Sequence, residues 1–275
     1  MKHLQVEETL IHRVVENESA ALADSIAVEE PLAIMVEYSS ATGKMQKNIA
    51  ITMRTPGDDE TLAAGFLFTE GIIRQLDNIR EIRLFSSDRN RVLVTLKEDV
   101  KPALHTAERN FYSTSSCGVC GKTSIESLRA VSPFEQLKDI LKVNREVLFR
   151  LPGIVRSMQV VFNDTGGIHA CALFDAEGDC SILKEDIGRH NALDKLIGTA
   201  LLEQRLPLNT SILFLSGRAG FELIQKAAMA GIKMVAAVGA PSSLSVELAK
   251  EYGITLVGFL KEGRFNIYSC AERII

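Results

Sequence analysis

At 275 residues the chain is long enough to bury one large core or two modest ones. Charged residues make up 24% and apolar residues 46%, values ordinary for a water-soluble globular protein. A formal net charge of -4 supplies no global basic field, which argues against nucleic acid and anionic membranes as partners and leaves only local anion sites open.

The N-terminus, "MKHLQVEETLIHRVVENES", carries glutamates where a signal peptide needs an unbroken apolar stretch. No run reaches the apolar length of a membrane span, so a cytoplasmic location is expected. "PLAIMVEY" and "NIAITMRT" alternate by twos and predict strands joined by a turn at Ala41–Lys44, with Gly43 at the bend. "TPGDDETLAAGFLFTEGII" predicts a helix from about Asp58 to Thr69, its N-terminus marked by Thr55, Pro56, Asp58, Asp59 and Glu60 and its end by Gly71. "EIRLF" and "RVLVTL" flank "SSDRN" as a hairpin. These elements make an α+β unit.

The rhythm then changes. "FEQLKDILKVNREVLFRL" has helical spacing, "GIHACALF" and "CSILKED" predict strands around a turn at Glu177–Gly178, and "EDIGRHNALDKLIGTALLEQ" predicts a helix from about Asp186. The stretch from Ser211 to Leu260 reads strand, helix, strand, helix, strand, the pattern of parallel strands with crossover helices in a layered α/β sheet. A boundary near Tyr112 divides the chain into an α+β unit over 1–112 and an α/β unit over 113–275, with "SSCGVCGKTS" at the junction.

The five cysteines are sparse and odd in number, which argues against a secreted disulfide framework. Only Cys117 and Cys120 form a motif; Cys171, Cys180 and Cys270 read as small hydrophobes. "SCGVCGKT" resembles a phosphate loop in its last residues, but Ser116 replaces the leading glycine and no buried strand precedes it. A zinc site needs three or four ligands, and one CxxC supplies two; His190 or His169 could complete a catalytic site, but "HAC" at His169 lacks the glutamate of a zinc deaminase and the cysteine pair precedes the histidines. Thiol chemistry remains: both disulfide exchange and sulfur carriage need a thiolate, which the adjacent Lys122 favours. The residues alone leave those two, and an inert surface loop, open.

In sheets of this class ligands bind beyond the carboxyl ends of the parallel strands. "FLSGRAGFE" offers Arg218 there, "VGAPSSLS" offers Gly239, Ser242 and Ser243, and "GFLKEGRFNIY" offers Lys261, Gly263 and Arg264. Three successive loops of this kind point to a phosphate-bearing ligand. In the helix that precedes these loops in the chain, Asp186, His190 and Asp194 are spaced by four, beside Arg189 and Asn191, which suits either proton transfer or a plain helix-orienting histidine.

Together "MRTPGDDETLAAGFLFTEGII", "SSCGVCGKTSIESL", "EDIGRHNALDKLIG", "FLSGRAGFELIQKAAMAGI" and "GRFNIYS" resemble the FdhD/NarQ family, in the same order and over nearly the whole chain. The resemblance implies a sulfurtransferase that takes sulfane sulfur from a cysteine desulfurase and passes it to the molybdenum cofactor, in its bis-molybdopterin guanine dinucleotide form, before insertion into formate dehydrogenase. It also implies a C-terminal three-layer domain of cytidine-deaminase-like fold without zinc, a smaller N-terminal α+β domain, and a homodimer. Carried onto this sequence, Cys117 bears the persulfide and Cys120 assists sulfur release. The cofactor contact falls on Phe259, Leu260, Lys261, Glu262, Gly263 and Arg264, and the anion loops at Arg218 and Ser242 are suited to its diphosphates. A dithiol oxidoreductase and a cofactor chaperone without sulfur chemistry are the alternatives from other classes.

Overall fold

Side chains that alternate by twos in the second half of the chain find a buried environment on both sides of one sheet. The computed structural model describes residues 4–85, 88–104, 133–134 and 140–275. In chain order its elements are β1 (Val6–Val15), β2 (Glu18–Ala27), β3 (Glu30–Ser40), β4 (Gly43–Arg54), α1 (Asp59–Thr69), β5 (Ile79–Phe85), β6 (Asp88–Leu96), α2 (Arg145–Met158) and α3 (Val160–Thr165). There follow β7 (His169–Phe174), β8 (Cys180–Asp186), α4 (Arg189–Leu202), β9 (Ile212–Leu215), α5 (Phe221–Met229), β10 (Met234–Ala237), α6 (Ser243–Glu251), β11 (Thr255–Lys261) and β12 (Arg264–Ser269).

The six-stranded sheet runs β12-β11-β10-β9-β7-β8. Cys171, Leu173, Leu213, Leu215, Val235, Ala237 and Leu256 point into the core shared with α4, α5 and α6. Ala170, Ala172, Phe174, Ile212, Phe214, Met234, Ala236 and Val257 point the other way, into a second core with α2. Burial on both faces explains why β9 and β10 are continuous apolar runs. β9, β10 and β11 are parallel, as the alternation predicts. The flanking strands are antiparallel, which makes the sheet mixed. The reason is connection length: β7–β8 and β11–β12 are joined by tight turns, too short for a crossover.

A second sheet, β4-β3-β6-β5, covers α1. Its Leu32, Ile34, Val92 and Val94 share one core with Leu193, Leu196 and Ile197 of α4, so the first hundred residues and the six-stranded sheet are packed around common side chains. α1 crosses α4 at Gly65 and Gly198. A methyl group on Gly65 would overlap the Asp194 carbonyl, and one on Gly198 would overlap the Thr61 carbonyl. The two helix backbones therefore touch.

Several expectations need correction. Of the helix read over 134–151, residues 135–139 lie outside the described residues, and α2 begins at Arg145, where Asn144 caps it by accepting from Glu146 N at 2.9 Å. Upstream of it, Val143 instead bridges Ile274 near the C-terminus. The helix read from Asp186 begins at Arg189; Asp186 ends β8. The β1–β2 hairpin, unforeseen, stands apart as its own two-stranded sheet with Leu10 74% and Val14 67% exposed. Tyr112, the expected boundary, lies outside the described residues. No helix among those described is long and apolar enough to cross a membrane.

Candidate functional site

The loops beyond the carboxyl ends of β9, β10 and β11 are stitched into one surface by backbone hydrogen bonds. Gly239 N donates to Gly217 O at 2.9 Å, Ala219 N to Ala240 O at 3.2 Å, and Phe259 N to Gly239 O at 3.1 Å. The approach is close enough that a Cβ on Gly239 would sit 2.9 Å from Arg218 Cα, so only glycine fits there. The three loops singled out in the sequence are thus neighbours in space.

Arg218 is exposed, and its guanidinium has no carboxylate partner among the described residues. Ser242 is exposed too, but its Oγ accepts from Ser245 N at 3.2 Å as the cap of α6, which commits it to the helix. Phe259–Arg264 forms the tip of the β11–β12 hairpin, with Lys261 opposite Arg264 and Gly263 at φ 74° in the turn. Lys261, Glu262, Gly263 and Arg264 are all exposed, whereas Leu260 is buried in the core that includes α2. Phe259 is 39% exposed at φ 54°, in the left-handed region that a bulky aromatic side chain avoids. Such backbone costs of order 1–3 kcal/mol and persists where surrounding structure imposes it, often at ligand sites.

At the β7 side of the same edge stands a group of charged side chains on the first turns of α4 and α5. His190 Nε2 lies 2.8 Å from Glu222 Oε2. The equal spacing of Asp186, His190 and Asp194 had suggested that the two aspartates flank the histidine; they do not. Asp186 turns inward to Lys195 at 2.7 Å, both fully buried, and Asp194 turns to Lys226 at 3.0 Å. Glu222, distant in sequence, is the carboxylate that His190 meets. His169 opens β7 against Gly217, where an added Cβ would come within 3.3 Å of its ring. Burial holds His169 below the usual histidine pKa, and the nearby Arg189, His190 and Arg218 lower it further against the opposing effect of Asp186.

The start of α4 is held by two sequence stretches that act as one network. Thr55 N donates to Asp186 Oδ2 at 3.2 Å, Ile187 N to Thr55 Oγ1 at 3.2 Å, and Lys195 Nζ to Thr55 O at 2.8 Å. Asn191 Nδ2 donates to Met53 O at 2.7 Å while Thr52 Oγ1 donates to Asn191 Oδ1 at 3.0 Å. Below it, Arg54 forks onto Asp59 at 2.9 and 3.0 Å, and Asp58 pairs with Lys184 at 2.7 Å. The acids read as a simple helix cap therefore do more: no side chain caps α1, and two of the three anchor other elements. Buried, satisfied polar contacts of this kind fix the position of Arg189 and His190.

Cys117 and Cys120 lie outside the described residues. Of the others, Cys171 is buried, and burial pushes its thiol pKa far up; burial also raises that of Cys180. Neither is a ready thiolate. Cys270, half-buried, adopts φ 48° where β12 ends. Among the described residues no group of three or more His, Cys, Asp or Glu is disposed to hold a metal ion.

Against known proteins, the model of the FdhD/NarQ family matches residues 27–275. Among its relatives, a protein of Mycolicibacterium paratuberculosis named "Sulfur carrier protein FdhD" is 49% identical over 94% of this chain and 94% of its own length. A protein of the same name from Sulfolobus acidocaldarius is 41% identical over 98% of this chain and 99% of its own. The crystal structure of a putative formate dehydrogenase accessory protein from Desulfotalea psychrophila matches with a TM-score of 0.75 at 24% identity, covering 98% of this chain and 100% of that one, a likeness of fold. With a family match over most of its length and near full-length relatives above 40% identity, the chain belongs to the FdhD/NarQ family.

Proposed function

We propose that the protein is a cytoplasmic sulfur carrier: it accepts sulfane sulfur from a cysteine desulfurase as a persulfide on Cys117 and delivers it to the molybdenum cofactor, in bis-molybdopterin guanine dinucleotide form, before that cofactor enters formate dehydrogenase. The observation that carries this reading is near full-length identity to proteins named as sulfur carriers, combined with the CGVC motif. Burial raises the thiol pKa of Cys171 and Cys180, which makes either a poorer thiolate than a cysteine beside a lysine in a polar segment.

In the proposed chemistry the Cys117 thiolate attacks the outer sulfur of the desulfurase persulfide. The desulfurase cysteine leaves as a thiolate, and Cys117 becomes a persulfide. Cys120 then attacks the inner sulfur, giving a Cys117–Cys120 disulfide and releasing the outer sulfur as hydrosulfide to the cofactor. A dithiol reductant restores the pair. The cofactor is the substrate here, and its diphosphates suit the cationic edge of the sheet, with the exposed Lys261 and Arg264 on the hairpin and Arg218 one loop away. Phe259 offers an aromatic face to a bicyclic ring at the same edge. We further assign the six-stranded sheet and its helices to the cytidine-deaminase-like class, and the assembly to a homodimer, which would give the exposed apolar side chains of the β1–β2 hairpin a partner. Incubation with desulfurase and cysteine, followed by intact-mass measurement, tests the reading: sulfur must add to the wild type and not to Cys117→Ala.

A further inference from the structure

An antiparallel ribbon lying on a protein body ordinarily turns apolar side chains inward and charges outward. The β1–β2 hairpin breaks this rule. Side chains alternate between its two faces, and α3 packs against both strands. Thr9, Ile11, Leu22 and Asp24 are half-buried on the inner face. That face also carries Glu7, Arg13 and Glu18, with Arg13 3.7 Å from Asp24. The outer face presents Leu10, His12 and Val14 of β1 beside Ser19, Ala21 and Ala23 of β2, all of them exposed. Beyond Glu8 near its base, the outer face holds no carboxylate, lysine or arginine.

The hairpin is nonetheless regular. Its strands pair from Val6 opposite Ala27 to Val15 opposite Glu18 without a bulge, and Val28 N closes the base by donating to Gln5 O at 2.9 Å. A two-stranded ribbon is marginal in water by itself, and an exposed apolar face on one marks a contact surface.

The sizes of the side chains indicate what covers this face. Its large apolar groups all lie on β1 and its small groups all on β2, with Leu10 opposite Ala23 and Val14 opposite Ser19. The face is therefore a ridge beside a groove. A two-fold axis running along the strands, between two such faces, lays β1 of each copy over β2 of the other at the same height. Leu10 then meets the partner's Ala23, and Val14 meets the partner's Ser19. An axis across the strands would stack ridge on ridge. Sheets packed face to face in the aligned manner lie about 10 Å apart, a gap that interdigitating side chains of this kind fill. The want of charge on the face leaves no like charges to oppose one another across the axis.

We propose that the outer face of the β1–β2 hairpin packs on the same face of a second copy of the chain, the Leu10–Val14 ridge of each seated in the groove of the other. The proposal rests on the homodimer reading above and names the surface, the axis and the register that the reading leaves open.

Sedimentation velocity of the full chain tests it. The wild type should sediment as a dimer. Leu10→Lys and Ala23→Glu each place a charge in the contact and should each raise the dimer dissociation constant by at least about tenfold. Mixed in equal amounts, the two variants should associate again, because the new lysine faces the new glutamate and the other half of the contact keeps leucine over alanine. Both positions are exposed in the single chain, and equal far-ultraviolet spectra certify that the variants fold. A wild type that sediments as a single chain sinks the homodimer and this proposal together. A dimer that neither substitution weakens puts the homodimer on another face and overturns the proposal alone. Variants that weaken the dimer singly but fail to associate when mixed overturn it too, since the register is then wrong.

Discussion

Asp194 of α4 and Lys226 of α5 meet at 3.0 Å out of contact with water, and Thr69 at the end of α1 donates to the same carboxylate at 2.7 Å. Lys226 also reaches Glu70 at 3.1 Å. One buried charge pair thus joins the helix under the four-stranded sheet to two helices of the six-stranded sheet. Burial opposes the charge on Lys226, but the Asp194 and Glu70 carboxylates outweigh it and hold the lysine protonated. Removing one partner strands the other. Lys226→Met should cost about 3–5 kcal/mol of unfolding free energy by denaturant titration, and the double variant Asp194→Leu/Lys226→Met should recover much of that loss. Additive losses would show that the pair does not act as one.

The crossing of α1 and α4 gives a second prediction. Gly198→Ala places a methyl group onto the Thr61 carbonyl, and neither helix can yield without moving the core shared by both sheets. A loss of about 1–3 kcal/mol is expected, as in other overpacked cores. It should appear as a lower denaturant midpoint with an unchanged slope. A midpoint equal to wild type would contradict the backbone contact.

His169 makes stability depend on pH in a definite direction. Folding lowers its pKa, first by burial and then through Arg189, His190 and Arg218. The unfolded chain therefore binds the proton at a higher pH than the folded one. Stability carries no penalty from this group above the ordinary value of 6.5 and declines as pH falls from there toward the lowered folded pKa. His169→Asn should flatten that part of the stability profile. A profile identical to wild type between pH 7 and pH 5, a range chosen around the ordinary histidine value of about 6.5, would remove the histidine from the account.

At the hairpin tip, Arg264→Ala should weaken guanosine diphosphate binding by about tenfold while leaving the melting temperature within a degree or so, because the side chain is exposed and unpaired among the described residues. Unchanged calorimetric affinity would detach the hairpin from the ligand surface.

How much of this was legible in the sequence depended on whether the signal was local. β9, β10 and β11, with their loops at Arg218, Gly239 and Gly263, follow from short apolar runs punctuated by small residues, and the structure places them side by side. The β1–β2 hairpin was not legible, because strands with Leu10 and Val14 in solvent carry no one-sided burial pattern. The even spacing of Asp186, His190 and Asp194 misled because Gly188 starts the helix late, so Asp186 belongs to the strand before it. Glu222 and His169 join His190 and Arg218 only through the pairing of β7 with β9 and the docking of α5, which no local pattern encodes. The "MRTPGDDE" and "EDIGRHNALDK" stretches looked like separate motifs and are one hydrogen-bonded unit.

The most direct test of sulfur carriage is the intact mass of the protein after exposure to a cysteine desulfurase and cysteine. Wild type and Cys120→Ala should gain the mass of one sulfur atom, lost again on treatment with a thiol reductant, and Cys117→Ala should gain none. Equal loading of Cys117→Ala, or no loading of the wild type, would contradict the account.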